Sequence, residues 1–145
     1  MVGLFPWLFS KPDPELRRRL ERAVADVDRE LAANLELTSM FDQTKQAVVL
    51  ENGEFNRHGA TIQAGLALAH GPLADLYARM PDTESAMERR GPANSLRDAD
   101  RLLIETWEGD ARAAQRGLRQ ALATPPLSPL AALLKRLRGM LPSRR

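Results

Sequence analysis

The sequence predicts an all-α protein: a small helical bundle in which one long N-terminal helix, over about residues 14–51, packs antiparallel to a second helix, over about 95–123, with short helices completing the body. Three observations predict it. Apolar residues fall at Leu16, Leu20, Val24, Val27, Leu31, Leu35, Thr38 and Phe41, in steps of three and four that match the α-helical period. No Gly or Pro interrupts the chain between Pro14 and Gly53. A second stripe, Leu96, Ala99, Leu103, Trp107, Ala114, Leu118 and Leu122, recurs near the C-terminal end.

The elements follow in order. Asp13-Pro14-Glu15 reads as a helix start, with Asp13 accepting from an orphan backbone N–H and Pro14 at the first helical position. The stretch 47–56 supports two readings. Val48-Val49-Leu50 before Asn52-Gly53 resembles a strand entering a tight turn, which makes a minor β-hairpin. The favoured reading continues the helix to Glu51 and uses Gly53 as a left-handed cap, because the return arm 54–58 offers only Phe55 as an apolar residue. Ile62, Leu66 and Leu68 then predict a helix ending near His70 with Gly71 as its cap. Pro72 opens a short helix through Leu73, Leu76, Tyr77 and Met80, and another covers about 83–90 before Gly91-Pro92. Ser95 with Asp98 resembles a capping box for the last long helix, which Gly109 invites to kink. Thr124-Pro125-Pro126 is a stiff break. The expected organisation is an apolar aromatic arm at 1–12, a helical domain at 13–123, a Pro-rich linker at 124–128, and a basic amphipathic helix and tail at 129–145.

Composition narrows the function classes. A chain of 145 residues buries roughly 70% of its unfolded surface, enough for a core. There is no cysteine, which removes disulfides, thiolate metal sites and cysteine nucleophiles together. The net charge of +2 hides a segregation: residues 31–110 carry seven basic and thirteen acidic groups, and residues 111–145 carry eight basic and none acidic. Such a tail suits phosphate on lipid or nucleic acid, an acidic partner, or the chain's own acidic middle. No stretch reaches the ~20 apolar residues of a membrane span, and the N-terminal run lacks the positive start of a signal peptide. The expected location is cytoplasmic, with peripheral membrane association.

Catalytic equipment is sparse, and the chain reads as no enzyme. Glycine-rich phosphate loops and the zinc-protease helix motif are absent. His58 and His70 are the two histidines. Glu51, Glu54 and His58 would share one helical face and suit a metal, but Gly53 interrupts that helix and no second Glu-x-x-His element exists. A solvated turn is the simpler expectation, with no cofactor, no metal and no small-molecule substrate. His70 reads as a cation at a helix C-terminus. Ser39, Ser85 and Ser95 have no histidine nearby in sequence, and the pairs Asp98/Asp100 and Glu105/Glu108 read as a wet helix face. Trp107-Glu108-Gly109 resembles, over about five residues, the Trp-x-Gly turn of small secreted helical-hairpin proteins. The short preceding helix and the missing C-terminal Tyr signal depart from that family, so Trp107 reads as a core or interface residue.

The two ends carry the functional expectation. Leu4, Phe5, Trp7, Leu8 and Phe9 form an apolar arm just before Lys11 and Arg17–Arg19. Near the other end, Leu130, Leu133, Leu134 and Leu137 share a helical face beside Lys135, Arg136 and Arg138. Aromatic and apolar bodies flanked by cations suit a bilayer interface or a partner groove. The expected function is a non-enzymatic helical adaptor that docks on a membrane surface or a membrane-proximal assembly, with a protein partner or a second copy of the chain, or an anionic membrane. Nucleic-acid binding through the basic tail is the alternative, and an enzyme or metal site around His58 the third.

Overall fold

A computed structural model describes residues 13–124, 134 and 136–139. The described body is all-helical: α1 (Pro14–Thr44), α2 (Gly53–Gly65), α3 (Ala67–Ala78), α4 (Met80–Glu88) and α5 (Asp98–Ala123). Helix α1 starts as its sequence dictates. Asp13 Oδ1 accepts from the Glu15 N–H at 2.9 Å and Pro14 occupies the first turn. Its stripe faces inward, burying Leu20, Val24, Val27, Leu31, Thr38 and Phe41, while Leu16 at the helix start stays exposed.

The long helix ends sooner than its sequence suggests. It stops at Thr44, where Lys45 adopts a left-handed φ of 60° and donates its N–H to the Phe41 carbonyl at 2.7 Å. Residues 45–52 are neither helix nor hairpin, and no strand occurs among the described residues. The segment is held by a side chain standing in for a strand. Buried Asn34 donates to the Glu51 carbonyl at 2.8 Å and accepts from the Glu51 N–H at 2.7 Å. Leu50 enters the core while Val49 points outward, the alternation of an extended segment. Gly53 accordingly opens α2 rather than capping α1.

Three other boundaries move. Gly71 and Pro72 lie inside α3, not at a break; the break is at Leu66, with φ −137° and ψ 59°. Pro72 sits on the exposed side while Leu73, Leu76 and Tyr77 bury the opposite one, and Met80, expected on the same helix, is buried at the start of α4. The short helix expected over 83–90 spans 80–88. Helix α5 begins at Asp98 after Arg97, Ser95 makes no cap, and the helix runs through Gly109 without interruption.

Helix α5 lies antiparallel along α1. Arg17 near the start of α1 donates to the Leu122 carbonyl, and Arg119 pairs with Asp28 at 2.9 Å. Gln115 reaches the Asp28 carbonyl, and Glu108 meets Thr38 further along. The inward face of α5 is Ile104, Trp107, Ala111 and Leu118, so Ala99 lies outside the core. Trp107 is fully buried and donates its indole N–H to the Leu76 carbonyl at 3.0 Å, as a core residue of an unbroken helix. The main core gathers side chains of α1, α2, α3 and α5. A smaller cluster of Phe41, Ala86, Met87 and Ile104 seals the α4 end.

Candidate functional site

Two places in the body stand apart from ordinary packing. The first is a polar cluster between α1 and α2. Asp26 and Glu30 are four residues apart on α1, and Glu54 and His58 are four apart on α2, so each pair shares one helical face. Glu30 is buried at 5% exposure. Its Oε2 accepts from the Glu54 N–H at 2.7 Å, and its Oε1 accepts from the Phe55 N–H at 3.1 Å and the Tyr77 hydroxyl at 2.8 Å. The first turn of α2 has no cap from Asn52, so Glu30 caps it from the neighbouring helix and places a negative charge at the positive end of the dipole. Tyr77 stacks on Phe55 with ring centroids 4.3 Å apart. Burial, then the Glu30 hydrogen bond, raises the Tyr77 phenol well above its ordinary range.

Beyond Glu30 the cluster opens. His58 Nε2 lies 2.9 Å from Asp26 Oδ2 and 3.4 Å from Glu54 Oε2. The three ligand atoms lie within 4.8 Å of one another. Glu54 Oε2 is out of contact with solvent and has no hydrogen-bond partner. The opposite oxygens face arginines at the rim, Asp26 Oδ1 with Arg29 at 3.4 Å and Glu54 Oε1 with Arg57 at 3.6 Å.

The second place is an apolar groove of about 920 Å³ at the end of the bundle where α1 begins, α2 meets α3 and α5 ends. Leu16, Leu20, Ala64, Gly65 and Leu68 line it, with Arg17 and Arg19 on its rim. Leu68 is 95% exposed and Leu16 59%. Gly65 lets α1 approach closely here: a Cβ would stand 2.9 Å from both methyl groups of Leu20 and would displace that side chain. Asp13 and Thr124, the ends of the continuous described body, also line it.

Of the expected docking residues, Leu134, Arg136, Leu137 and Arg138 are helical and exposed, with Leu134 at 53% and Leu137 at 50%. Leu4, Phe5, Trp7, Leu8, Phe9, Leu130, Leu133 and Lys135 lie outside the described residues. Glu51 does not join His58, because the chain before Gly53 is not helical; Asp26 takes that place from α1. His70 is not at a helix C-terminus but early in α3, with its ring 6.0 Å from that of Phe55. The carboxylate pairs of α5 are not uniformly wet. Asp100 is buried and receives Arg89 at 2.8 Å. Glu108 is buried too, and its carboxyl is raised by desolvation and by Asp42. Ser95 Oγ donates to the Pro92 carbonyl at 2.7 Å instead of capping α5.

Compared with known proteins, the chain matches no family model, no curated protein and no solved structure. Among the described residues no helix is long and apolar enough to cross a membrane.

Proposed function

We propose that the protein is a non-enzymatic helical interaction module that docks on an anionic membrane surface through the end of the bundle bearing the apolar groove. The observation that carries this reading is Leu68, almost wholly exposed beside the similarly exposed Leu16, on a rim that also bears Arg17 and Arg19. The first turns of α1 add Arg18 and Arg22, which pair with no carboxylate among the described residues. Apolar side chains flanked by arginines, of which Arg17 and Arg19 are paired with Glu21 and Glu15 and Arg18 and Arg22 are not, match an interface where hydrocarbon lies just below anionic headgroups. The basic, carboxylate-free stretch from residue 111 and the exposed Leu134 and Leu137 beside Arg136 and Arg138 are of the same character.

The energies are sufficient for reversible docking. Burying a leucine side chain is worth about 1.5–3 kcal/mol, and each basic group near an anionic leaflet about 1 kcal/mol. Co-sedimentation of the intact chain with vesicles of phosphatidylcholine and phosphatidylglycerol tests the proposal. Binding is expected to grow with the phosphatidylglycerol fraction and to weaken with salt. The double substitution Leu16→Ser and Leu68→Ser should weaken it by about a hundredfold, since each ~1.4 kcal/mol is tenfold. Both side chains are exposed, so the fold should survive. No sedimentation of the intact chain at low salt rejects membrane docking; unchanged binding by the double variant rejects the groove as its seat.

A further inference from the structure

We infer that Asp26, Glu54 and His58 form a binding site for a divalent first-row transition-metal ion that ties α2 to α1. The site is assembled from two helices, each presenting its ligands at helical spacing: Asp26 from the middle of α1, Glu54 and His58 from the first two turns of α2. One atom from each converges, Asp26 Oδ2, Glu54 Oε2 and His58 Nε2, all within 4.8 Å of one another. Ligands at zinc-like bond lengths of about 2.0–2.1 Å in tetrahedral array stand roughly 3.3–3.4 Å apart. The Glu54–His58 separation of 3.4 Å already has that value. The Asp26–His58 separation of 2.9 Å is that of a hydrogen bond and must open slightly when a metal replaces the proton between them.

Hydrogen bonding within the cluster leaves one atom unserved. Nε2 of an imidazole carries one proton or one lone pair, and Asp26 lies closer to it. Glu54 Oε2 is buried and left with no protein donor, an arrangement that costs a carboxylate more than a neutral group. A cation seated among the three atoms supplies what that oxygen lacks and offsets the pairing of two carboxylates. The frame does not depend on the ion. Glu30 holds the backbone N–H groups of Glu54 and Phe55, and His58 is only 15% exposed, so the ligands stand in place beforehand.

The donor set selects the class of ion. One imidazole nitrogen with two carboxylates suits zinc, manganese, iron or cobalt, whereas magnesium and calcium prefer oxygen alone. Three protein ligands leave at least one position for water, so the site is open. The Asp26 and Glu54 side chains are partly exposed, at 22% and 32%, so the cluster lies close to the surface although Glu54 Oε2 itself is covered.

The test is isothermal titration of the intact, tag-free chain with zinc chloride and, separately, magnesium chloride, together with the visible absorption of the cobalt(II) form. Saturable binding of one zinc per chain is expected, with magnesium at least tenfold weaker and a cobalt spectrum showing nitrogen and oxygen ligation. His58→Gln and Asp26→Asn should each weaken zinc at least tenfold, while His70→Gln leaves it unchanged. Far-ultraviolet dichroism must show each variant folded, and Glu54→Gln provides a further ligand substitution should one of them unfold. Absence of saturable zinc binding overturns the inference. So does zinc binding that folded His58→Gln and Asp26→Asn retain, or magnesium binding as tight as zinc, which would mark an unselective acidic surface.

Discussion

Replacing Glu30 by alanine removes the only acceptor that the structure gives to three donors: the Glu54 and Phe55 N–H groups and the Tyr77 hydroxyl. Hydrogen bonds to a charged group contribute about 1.5–3 kcal/mol each, and a buried donor left unmade costs about 1–3 kcal/mol. The two amides lie in a half-buried turn where water can replace part of the loss, whereas the Tyr77 hydroxyl is buried. The sum for Glu30→Ala is then about 3–5 kcal/mol, most of it from the tyrosine and the uncapped helix. In a chain of 145 residues this lowers the melting temperature by about 10 °C. Chemical denaturation followed by dichroism gives the free energy, and amide exchange at residues 54 and 55 reports the cap directly. The exposed Glu36→Ala is the control and should change stability by less than about 0.5 kcal/mol. A Glu30→Ala effect no larger than that control, or full additivity of Glu30→Ala with Tyr77→Phe, would refute the capping role, because groups in contact couple by about 0.5–3 kcal/mol.

Two further outcomes follow from the same polar core. Asn34→Ala strips both backbone groups of Glu51 of their partner and should cost about 2 kcal/mol; proteolysis should then cut within 45–52 faster than elsewhere, and equal cutting rates in the variant and the parent would contradict the pinning role. Tyr77 is the sole tyrosine, so its phenolate absorption can be followed alone. Its native phenol is raised, mainly by burial, so both states hold the proton below the ordinary value of about 10. Above that pH only the unfolded chain releases it, and stability falls by about 1.4 kcal/mol per pH unit. Phenolate should therefore appear together with loss of helix, and a phenolate signal rising near pH 10 with helicity intact would contradict the buried Tyr77–Glu30 bond.

The class of fold was legible because it rests on long periodic signals. The stripe from Leu20 to Phe41 is buried where its spacing puts it, and Asp13-Pro14 starts the helix. The boundaries that moved share a cause. Nothing in residues 45–51 forbids a helix; it ends at Thr44 because Leu50 gains more by entering the core and Asn34 accepts the strand-like backbone of Glu51. Pro72 suits a helix start, yet it lies inside α3, where its neighbours on the buried face, Leu73, Leu76 and Tyr77, outweigh the lost N–H. Both are tertiary overrides of local preference.

The candidate metal site was half legible, and the missing half has a describable signal. His58 and Glu54 were visible as a pair four residues apart; Glu51 was their wrong third member because it belongs to the extended segment. The signal for the third ligand lies on α1. Glu30 directly precedes Leu31 and follows Val27 by three, which puts a carboxylate on the inner face, and Asp26 is one turn before it. A charged residue embedded in an otherwise apolar stripe has to find donors at the depth where it sits. Here the donors are the uncapped first turn of α2 and the Tyr77 hydroxyl, and once Glu30 is committed to them the register of α2 against α1 is fixed. That register carries Glu54 and His58 one turn along to face Asp26. The same buried carboxylate thus anchors the helix and aligns the three ligands, so Glu30→Ala should weaken zinc binding although Glu30 is not one of those ligands.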